Sequence, residues 1–252
     1  MRPLDRQARI IDFVRREGRV SVDDLATRFR SSPETIRRDL GILSKSGKIH
    51  KIHGGAMPPR LFGEGLLKQR MLENVAAKRY IAQQAREIIS QGETLFIDTG
   101  STTLYFAEEL AGIDDLTVIT NSIEIAGSIG ASNDSIRLFL LGGEYHSDNR
   151  ETRGLAAIDQ INAFRANHAV LTVGAVDADA GVMDFSMAEA QVARAMIARA
   201  EHTVMLADSS KFNRIASCAV GAFDRFDCLV CEAEPSGRLK AALARAKVDI
   251  IH

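Results

Sequence analysis

Residues 21–40, SVDDLATRFRSSPETIRRDL, constrain this chain more than any other stretch. Val22, Leu25, Ala26 and Phe29 recur at helical spacing, and so do Ile36, Leu40 and Leu43 beyond a short polar turn. Ser32 stands where an N-cap belongs, Pro33 where a helix begins, and Thr35 three residues after the cap. Thr35, Arg37 and Arg38 lie off the apolar stripe and face outward. Two short helices at a tight turn, the second rich in arginine, predict a helix-turn-helix that offers Thr and Arg to a groove of DNA.

The flanking residues complete a small domain. A first helix is expected over Leu4–Glu17, with Leu4, Ala8, Ile11 and Val14 on one face and Gly18 ending it. Gly47 is expected to end the third helix. The basic run GKIHKIHGGA, residues 47–56, reads as a β-wing closed at Gly54–Gly55. Residues 1–57 are therefore assigned to a winged helix-turn-helix. Ser32, Thr35, Arg37 and Arg38 are its DNA-facing candidates on the helix, and Lys48, Lys51 and His53 those on the wing. Pro58–Pro59 break the pattern, and 58–76 is expected to be a linker, although Leu61, Phe62, Leu66 and Leu67 are too apolar for a free tether. The net charge of −1 hides an asymmetry: residues 1–60 hold 14 Lys and Arg against 7 Asp and Glu, the remainder 18 against 26. A basic head on an acidic body suggests that only the head meets a polyanion.

From residue 77 to 252 apolar runs alternate with helical patterns. Strands are expected at 94–98, 116–120, 136–143, 169–173, 203–207, 228–231 and 248–252, and helices at 77–90, 102–110, 123–129, 188–200 and 238–246. Strands that are apolar throughout and separated by helices predict a Rossmann-like α/β domain, a mostly parallel sheet covered on both faces. In such folds ligands bind beyond the carboxyl ends of the strands. There the first strand runs into Asp98-Thr99-Gly100-Ser101-Thr102-Thr103, where hydroxyls and the free N–H groups of a helix N-terminus suit a phosphate or another oxyanion. Plain N-capping by Ser and Thr is the alternative.

Other strand ends add candidates: Thr120 and Asn121; Gly142 and Gly143, with His146 beyond; Gly174 and Asp177; Asp208 and Lys211. Glu189, at the start of a helix, joins them. Each also suits an ordinary turn. Together they predict a pocket for a phosphorylated sugar or polyol.

The motifs VSVDDLATRF, SPETIRRDL, HGGA, TLFIDTGSTT, VITNS, LLGGE, RGLAA and ADSSKF resemble the DeoR family of bacterial transcriptional regulators over essentially the whole chain. DFSMAEAQVARAMI and FDRFDCLVCEAEP look most like its glycerol-3-phosphate repressor branch. The resemblance implies a winged helix on operator DNA and a C-terminal domain similar to ribose-5-phosphate isomerase that binds sugar phosphates. The family commonly has Arg at the positions of Lys51 and His146 and a further Gly where Ala175 stands. The isomerase's acidic catalytic loop has no convincing counterpart after Val173.

The expected function is a repressor of a carbohydrate or polyol catabolic operon, released from double-stranded operator DNA by a phosphorylated metabolite, glycerol 3-phosphate first among them. A regulator of another phosphate ester or an activator shares these features. An isomerase-like enzyme, with Asp98, Asp177, Glu189 or Lys211 as acid–base groups, is the rival class. One winged helix reads a half-site, so a homodimer or homotetramer is expected. No HExxH, GxxxxGK[ST] or Ser-His-Asp context and no cofactor motif occurs. Cys228 and Cys231 form a CxxC with no second ligand pair, and are expected to be buried free thiols rather than metal ligands. No apolar run approaches the ~20 residues of a membrane span, and MRPLDRQARI lacks a signal-peptide core, which gives the expectation of a cytoplasmic protein.

Overall fold

A computed structural model describes residues 3–18, 20–45, 48–52, 54–57 and 65–252. The chain divides into two compact units, residues 1–61 and 62–252.

The first unit holds α1 (Pro3–Glu17), β1 (Val20–Ser21), α2 (Val22–Phe29), α3 (Pro33–Lys45), β2 (His50–Ile52) and β3 (Gly55–Met57). A capping box starts α2: Ser21 Oγ accepts from the Asp24 N–H, and the Asp24 carboxylate accepts from the Ser21 N–H. Arg30, left-handed at φ 46°, ends α2 by donating its N–H to the Ala26 and Thr27 carbonyls. Ser32 Oγ accepts from the Thr35 N–H at 3.2 Å and so caps α3. β3 pairs antiparallel with both β2 and β1, which makes the wing. Ile10, Val14, Val22, Leu25, Ile36, Leu40, Leu43, Ile49 and Ala56 form the core.

One expectation is corrected here. The inward face of α1 is Arg6, Ile10 and Val14; Ala8 is exposed and Ile11 only half-buried. The cause is Asp39 on α3, which draws Arg6 inward with a 2.5 Å contact from Nε and accepts from Gln7 as well. Leu4's side chain, Gly47, His53 and the Pro58–Pro59 pair lie outside the described residues.

In the second unit come α4 (Leu67–Arg70), α5 (Val75–Arg86), β4 (Thr94–Ile97), α6 (Ser101–Glu109), β5 (Thr117–Thr120), α7 (Ile123–Ser132) and β6 (Arg137–Leu140). These are followed by β7 (Glu144–His146), β8 (Glu151–Arg153), α8 (Leu155–Asn162), β9 (Ala166–Thr172), β10 (Ala175–Asp177), β11 (Gly181–Asp184), α9 (Met187–Arg199) and β12 (Ala200–Leu206). The chain ends through β13 (Cys218–Gly221), β14 (Cys228–Val230), α10 (Gly237–Arg245) and β15 (Asp249–Ile251).

A seven-stranded parallel sheet runs in the order β15-β14-β12-β9-β4-β5-β6. The chain builds outward from β4 through β5 to β6, then returns to the other side of β4 with β9. The order therefore reverses between β4 and β9. Alternate strand residues feed two cores: Phe96, Ile119, Leu171, Met205 and Leu229 on one face, Leu95, Val118, Val170, Val204 and Val230 on the other.

The region 58–76 is not one uniform connection. Leu67 and Arg70 are buried, the Leu67 N–H donates to the Asp148 carbonyl, and Tyr105 on α6 donates its hydroxyl to the Met71 carbonyl. Residues 67–76 thus pack as part of the α/β unit. Besides α4, the β7–β8 hairpin, α8 and a small antiparallel sheet β10-β11-β13 were not expected. Their strands are only three or four residues long, too short for an apolar period to stand out.

Candidate functional site

On α3 the side chains of Arg37 and Arg38 are exposed and Thr35 is half-buried, while Ile36, Asp39 and Leu40 point inward. Arg37 Nη1 lies 3.1 Å from Glu34 Oε2 on the same exposed surface. Ser32 is exposed, and its hydroxyl also meets that of Thr35 at 2.9 Å. Lys48 and Lys51 are exposed on the wing. Of the residues expected to face DNA, Ser32, Arg37, Arg38, Lys48 and Lys51 are thus outward on one helix and its wing, and His53 lies outside the described residues.

In the α/β unit the groups gather where β4, β5, β9 and β12 end. Asp98, just past β4, accepts from the Thr172 N–H on β9 at 3.0 Å and donates its own N–H to the Val170 carbonyl. Gly100 follows in extended backbone; a Cβ there would come within 2.2 Å of Thr172 Cγ2 and 2.9 Å of Thr103 Oγ1, so only glycine lets this loop lie against β9. No side chain caps α6: the Thr103 hydroxyl donates instead to the carbonyls of Asp98 and Gly100. Capping by Ser and Thr therefore does not account for the motif. Ser101, Thr102 and Thr103 are buried around first-turn N–H groups, an arrangement that attracts an oxyanion.

Beside this end, Asn121 follows β5. Its Nδ2 donates to the Thr152 carbonyl at 2.9 Å and to Glu151 Oε2 at 3.3 Å. Asn149, near β8, receives a hydrogen bond from Arg70 Nη2 at 2.9 Å and donates to Glu189 Oε1 on α9 at 3.1 Å. Lys78 Nζ donates to the Arg70 carbonyl, which fixes a second buried cation. Past β12, Asp208 accepts from Asn74 at 3.1 Å and from Ser210. Lys211 is half-buried in the turn that follows.

Burial holds the Asp98 carboxyl well above the ordinary range; Asp184 and Glu151 add to this, against the bond from Thr172. Burial likewise raises Glu151 to about 7, with Asp184 reinforcing and Arg153, Asn149 and Arg70 opposing. Three carboxyl groups and two buried cations therefore share one region.

Several expected residues also make contacts that serve the fold. The Gly142 N–H donates to Gln160 Oε1, and a Cβ on Gly143, at φ 148°, would come within 2.6 Å of the Arg153 carbonyl. Both glycines are exposed, and each lies close to the chain itself, Gly142 to Gln160 on α8 and Gly143 to Arg153 on β8. Gly174 pairs its N–H with the Met183 carbonyl beneath the Phe185 ring. The Asp177 carboxylate accepts from the N–H groups of Asp179 and Ala180, which hold it below the ordinary carboxylate range, so it shapes its own hairpin turn. His146 is half-buried on β7, with Nδ1 enclosed and unpaired.

Arg70, Lys78, Asn149, Glu151, Thr172 and Asp184 were not legible as site residues. Only the neighbouring RGLAA motif pointed toward Glu151, and nothing local marked it as buried. Cys228 packs into one core and Cys231 into the other, on opposite faces of the sheet, so the CxxC spacing does not converge on a common ligand. Burial raises their thiols to about 12 and about 11, which keeps them protonated.

A winged helix-turn-helix joined to an α/β body with a buried polar cluster at the sheet's reversal point defines a transcriptional regulator. Residues 6–59 match the DeoR-like helix-turn-helix domain and residues 73–233 the DeoR C terminal sensor domain, and the chain belongs to the DeoR family. It is 33% identical to the glycerol-3-phosphate regulon repressor of Escherichia coli over 93% of each chain. The protein of that name from Haemophilus influenzae is 33% identical over 92% of this chain and 90% of its own. The transcriptional repressor CsqR of Escherichia coli is 30% identical over 98% and 94%. A solved ribose 5-phosphate isomerase A from Neisseria gonorrhoeae is 18% identical over 55% of this chain and 53% of that one, with a TM-score of 0.40. Among the described residues no helix is long and apolar enough to cross a membrane.

Proposed function

We propose that this regulator is a repressor that a phosphorylated polyol or sugar releases from operator DNA, with glycerol 3-phosphate the first candidate. The observation that carries this reading is the uncapped, hydroxyl-lined N-terminus of α6 beside the Asp98–Thr172 contact, at the point where the strand order reverses. The names of the relatives support the choice of ester. Asp98, Ser101, Thr102, Thr103, Thr120, Asn121, Glu189, Asp208 and Lys211 are retained as effector residues, and Arg70 and Lys78 are added as the nearby cations.

On the DNA side, Thr35, Arg37 and Arg38 meet base edges or phosphates, and Ser32, Lys48 and Lys51 hold the backbone. Half-site recognition calls for a homo-oligomer. An acid–base enzyme is disfavoured, since Asp177 is spent on its hairpin turn and stands apart from the buried Asp98 cluster.

The test is calorimetric titration of the full chain with glycerol 3-phosphate, followed by operator release in a mobility-shift experiment. Saturable binding with loss of the DNA complex is the expected result. An operator complex that survives saturating ester refutes the release mechanism.

A further inference from the structure

We infer that the β6 edge of the seven-stranded sheet is the surface on which two copies of this chain pair, strand against strand, around a two-fold axis. The inference rests on the repressor reading above, which calls for a homo-oligomer, and names the face that makes it.

β6 is the last strand on its side of the sheet, and among the described residues β5 is the strand it pairs with. The N–H groups of Arg137 and Leu141 point toward β5 and donate to the Leu116 and Thr120 carbonyls. Alternation along the strand therefore turns the N–H and C=O groups of Leu138 and Leu140 the other way. Among the described residues no backbone bond takes them. The open row ends at Gly142, whose outward N–H donates to Gln160 Oε1.

Such a row is a template for another strand, and folded chains ordinarily blunt it with charges, a proline or a bulge. β6 lacks these defences. Its ladder with β5 runs without a bulge, and its one charge, Arg137, lies over the Phe139 ring at 5.1 Å. Leu138 and Phe139 are half-buried, and Leu140 is 48% exposed. The opposite edge, β15, is blunted: Asp249 is exposed within it, and exposed Lys247 and His252 flank it.

Self-complementarity selects a second copy as the occupant. An antiparallel copy that sets its Leu140 opposite Leu138 lets the two residues exchange both N–H···O bonds, and symmetry repeats the exchange at Leu140. The axis then passes beside Phe139, which faces Phe139 of the partner subunit at a position without hydrogen bonds, where cross-strand side chains come closest. The same patch serves both copies, so the assembly closes at this edge.

So short a ladder falls below the ~1,200 Å² that a stable interface buries. Side chains at the end of β6 extend it. Tyr145 is 50% exposed and Leu155 79%. Tyr145 is the register partner of Thr152, whose hydroxyl donates to the Leu141 carbonyl, and Leu155 opens α8, the helix that carries Gln160. Both therefore continue the apolar edge past Leu140.

The experiment is sedimentation equilibrium of the full chain, wild type against Leu140→Lys, with operator binding measured on both. The wild type should sediment as a dimer or larger. Leu140→Lys should raise the dissociation constant of the β6 interface about tenfold or more, taking dimer to monomer or tetramer to dimer. A second variant, Phe139→Cys, should form a covalent dimer on mild oxidation, because the two sulfurs meet at the axis within disulfide reach. Cys218, Cys228 and Cys231 are buried, so the wild type should not cross-link. A folded Leu140→Lys chain that assembles as the wild type does overturns the inference and leaves the repressor reading standing. So does a Phe139→Cys chain that assembles without cross-linking, and this variant decides the matter if Leu140→Lys fails to fold. A wild type that stays monomeric, both free and on operator DNA, overturns the homo-oligomer reading and this inference with it. A chain that cross-links at position 139 yet binds no operator refutes the repressor reading and leaves the interface intact.

Discussion

The Asp98 carboxylate and the Thr172 N–H, 3.0 Å apart, tie together the two parallel strands between which the sheet reverses its order. The bond spends one carboxylate oxygen on the scaffold and fixes the start of the loop that feeds α6. Glycine at position 100 then lets that loop lie on Thr172, which fixes where the first turn of α6 begins.

Gly100→Ala should disable the sensor. Its Cβ would sit 2.2 Å from Thr172 Cγ2, so the loop or β9 must move. Overpacking of this kind costs ~1–3 kcal/mol, and the first-turn N–H groups of α6 lose their alignment. Calorimetry should find ester binding reduced at least tenfold, while thermal unfolding reports the lost stability. Wild-type ester affinity in the variant would remove this loop from the site.

Arg38→Ala should weaken operator binding by ~1–3 kcal/mol and relax selection at one base position. Arg37→Ala should act similarly, less the contribution of its exposed pair with Glu34. Competition binding against a panel of operator point variants measures both. If both alanine variants bind the operator as wild type does, α3 is not the reading helix.

Lys51→Ala should weaken all DNA sequences nearly alike and lower the slope of log K against log salt by about 1. A titration from low to high salt on operator and random duplexes checks this. Loss confined to the operator would assign Lys51 to base reading instead.

Asp39→Ala should destabilise the DNA-binding unit strongly, because it strands the buried Arg6 guanidinium. Removing one partner of a buried ion pair costs ~3–5 kcal/mol. Urea unfolding of the full chain should show an early transition accompanied by loss of operator binding. A shift of well under 1 kcal/mol would mean that Arg6 escapes to solvent at little cost.

The stability of the α/β unit should fall as pH rises. Glu151 titrates near 7 in the folded chain against an ordinary value of 4.5, so the folded state holds a proton that the unfolded state has released. Between those values the unfolded chain binds fewer protons, and stability declines with pH, by an amount on the order of 3 kcal/mol that levels off above pH 7. Asp98, raised by the same cause, acts in the same direction. Glu151→Gln should flatten the decline in ligand-free denaturation curves from pH 5 to 8. An unchanged slope would place the titration elsewhere.

Much of this molecule was legible because its signals are local. Ile36, Leu40 and Leu43 are buried as their spacing predicts, Ser32 caps α3, and the parallel strands lie within one to three residues of their expected ends. The polar loop at Asp98–Thr103 was found because a strand running into a helix through glycine and hydroxyl residues has a fixed physical meaning. The short hairpins were missed, since three residues carry no period. Gly142, Gly143 and Asp177 make contacts within their own turns, and a turn that packs on its own chain and one that holds a ligand use the same residue types.

The sequence by itself determined the two units, the helices of the first, the parallel strands of the second, the outward arginines of α3 and the helix N-terminus past β4. These follow from periodicity, capping and backbone preference within a few residues. Only the tertiary structure decided which polar groups share the buried cluster past the strand ends. Arg70 meets Asn149 across 79 residues and Asp98 meets Thr172 across 74. Burial of Glu151, and the proton it holds near neutral pH, depends on strands and loops far apart in the chain. Desolvation is a property of the assembled surroundings, and no local pattern encodes it.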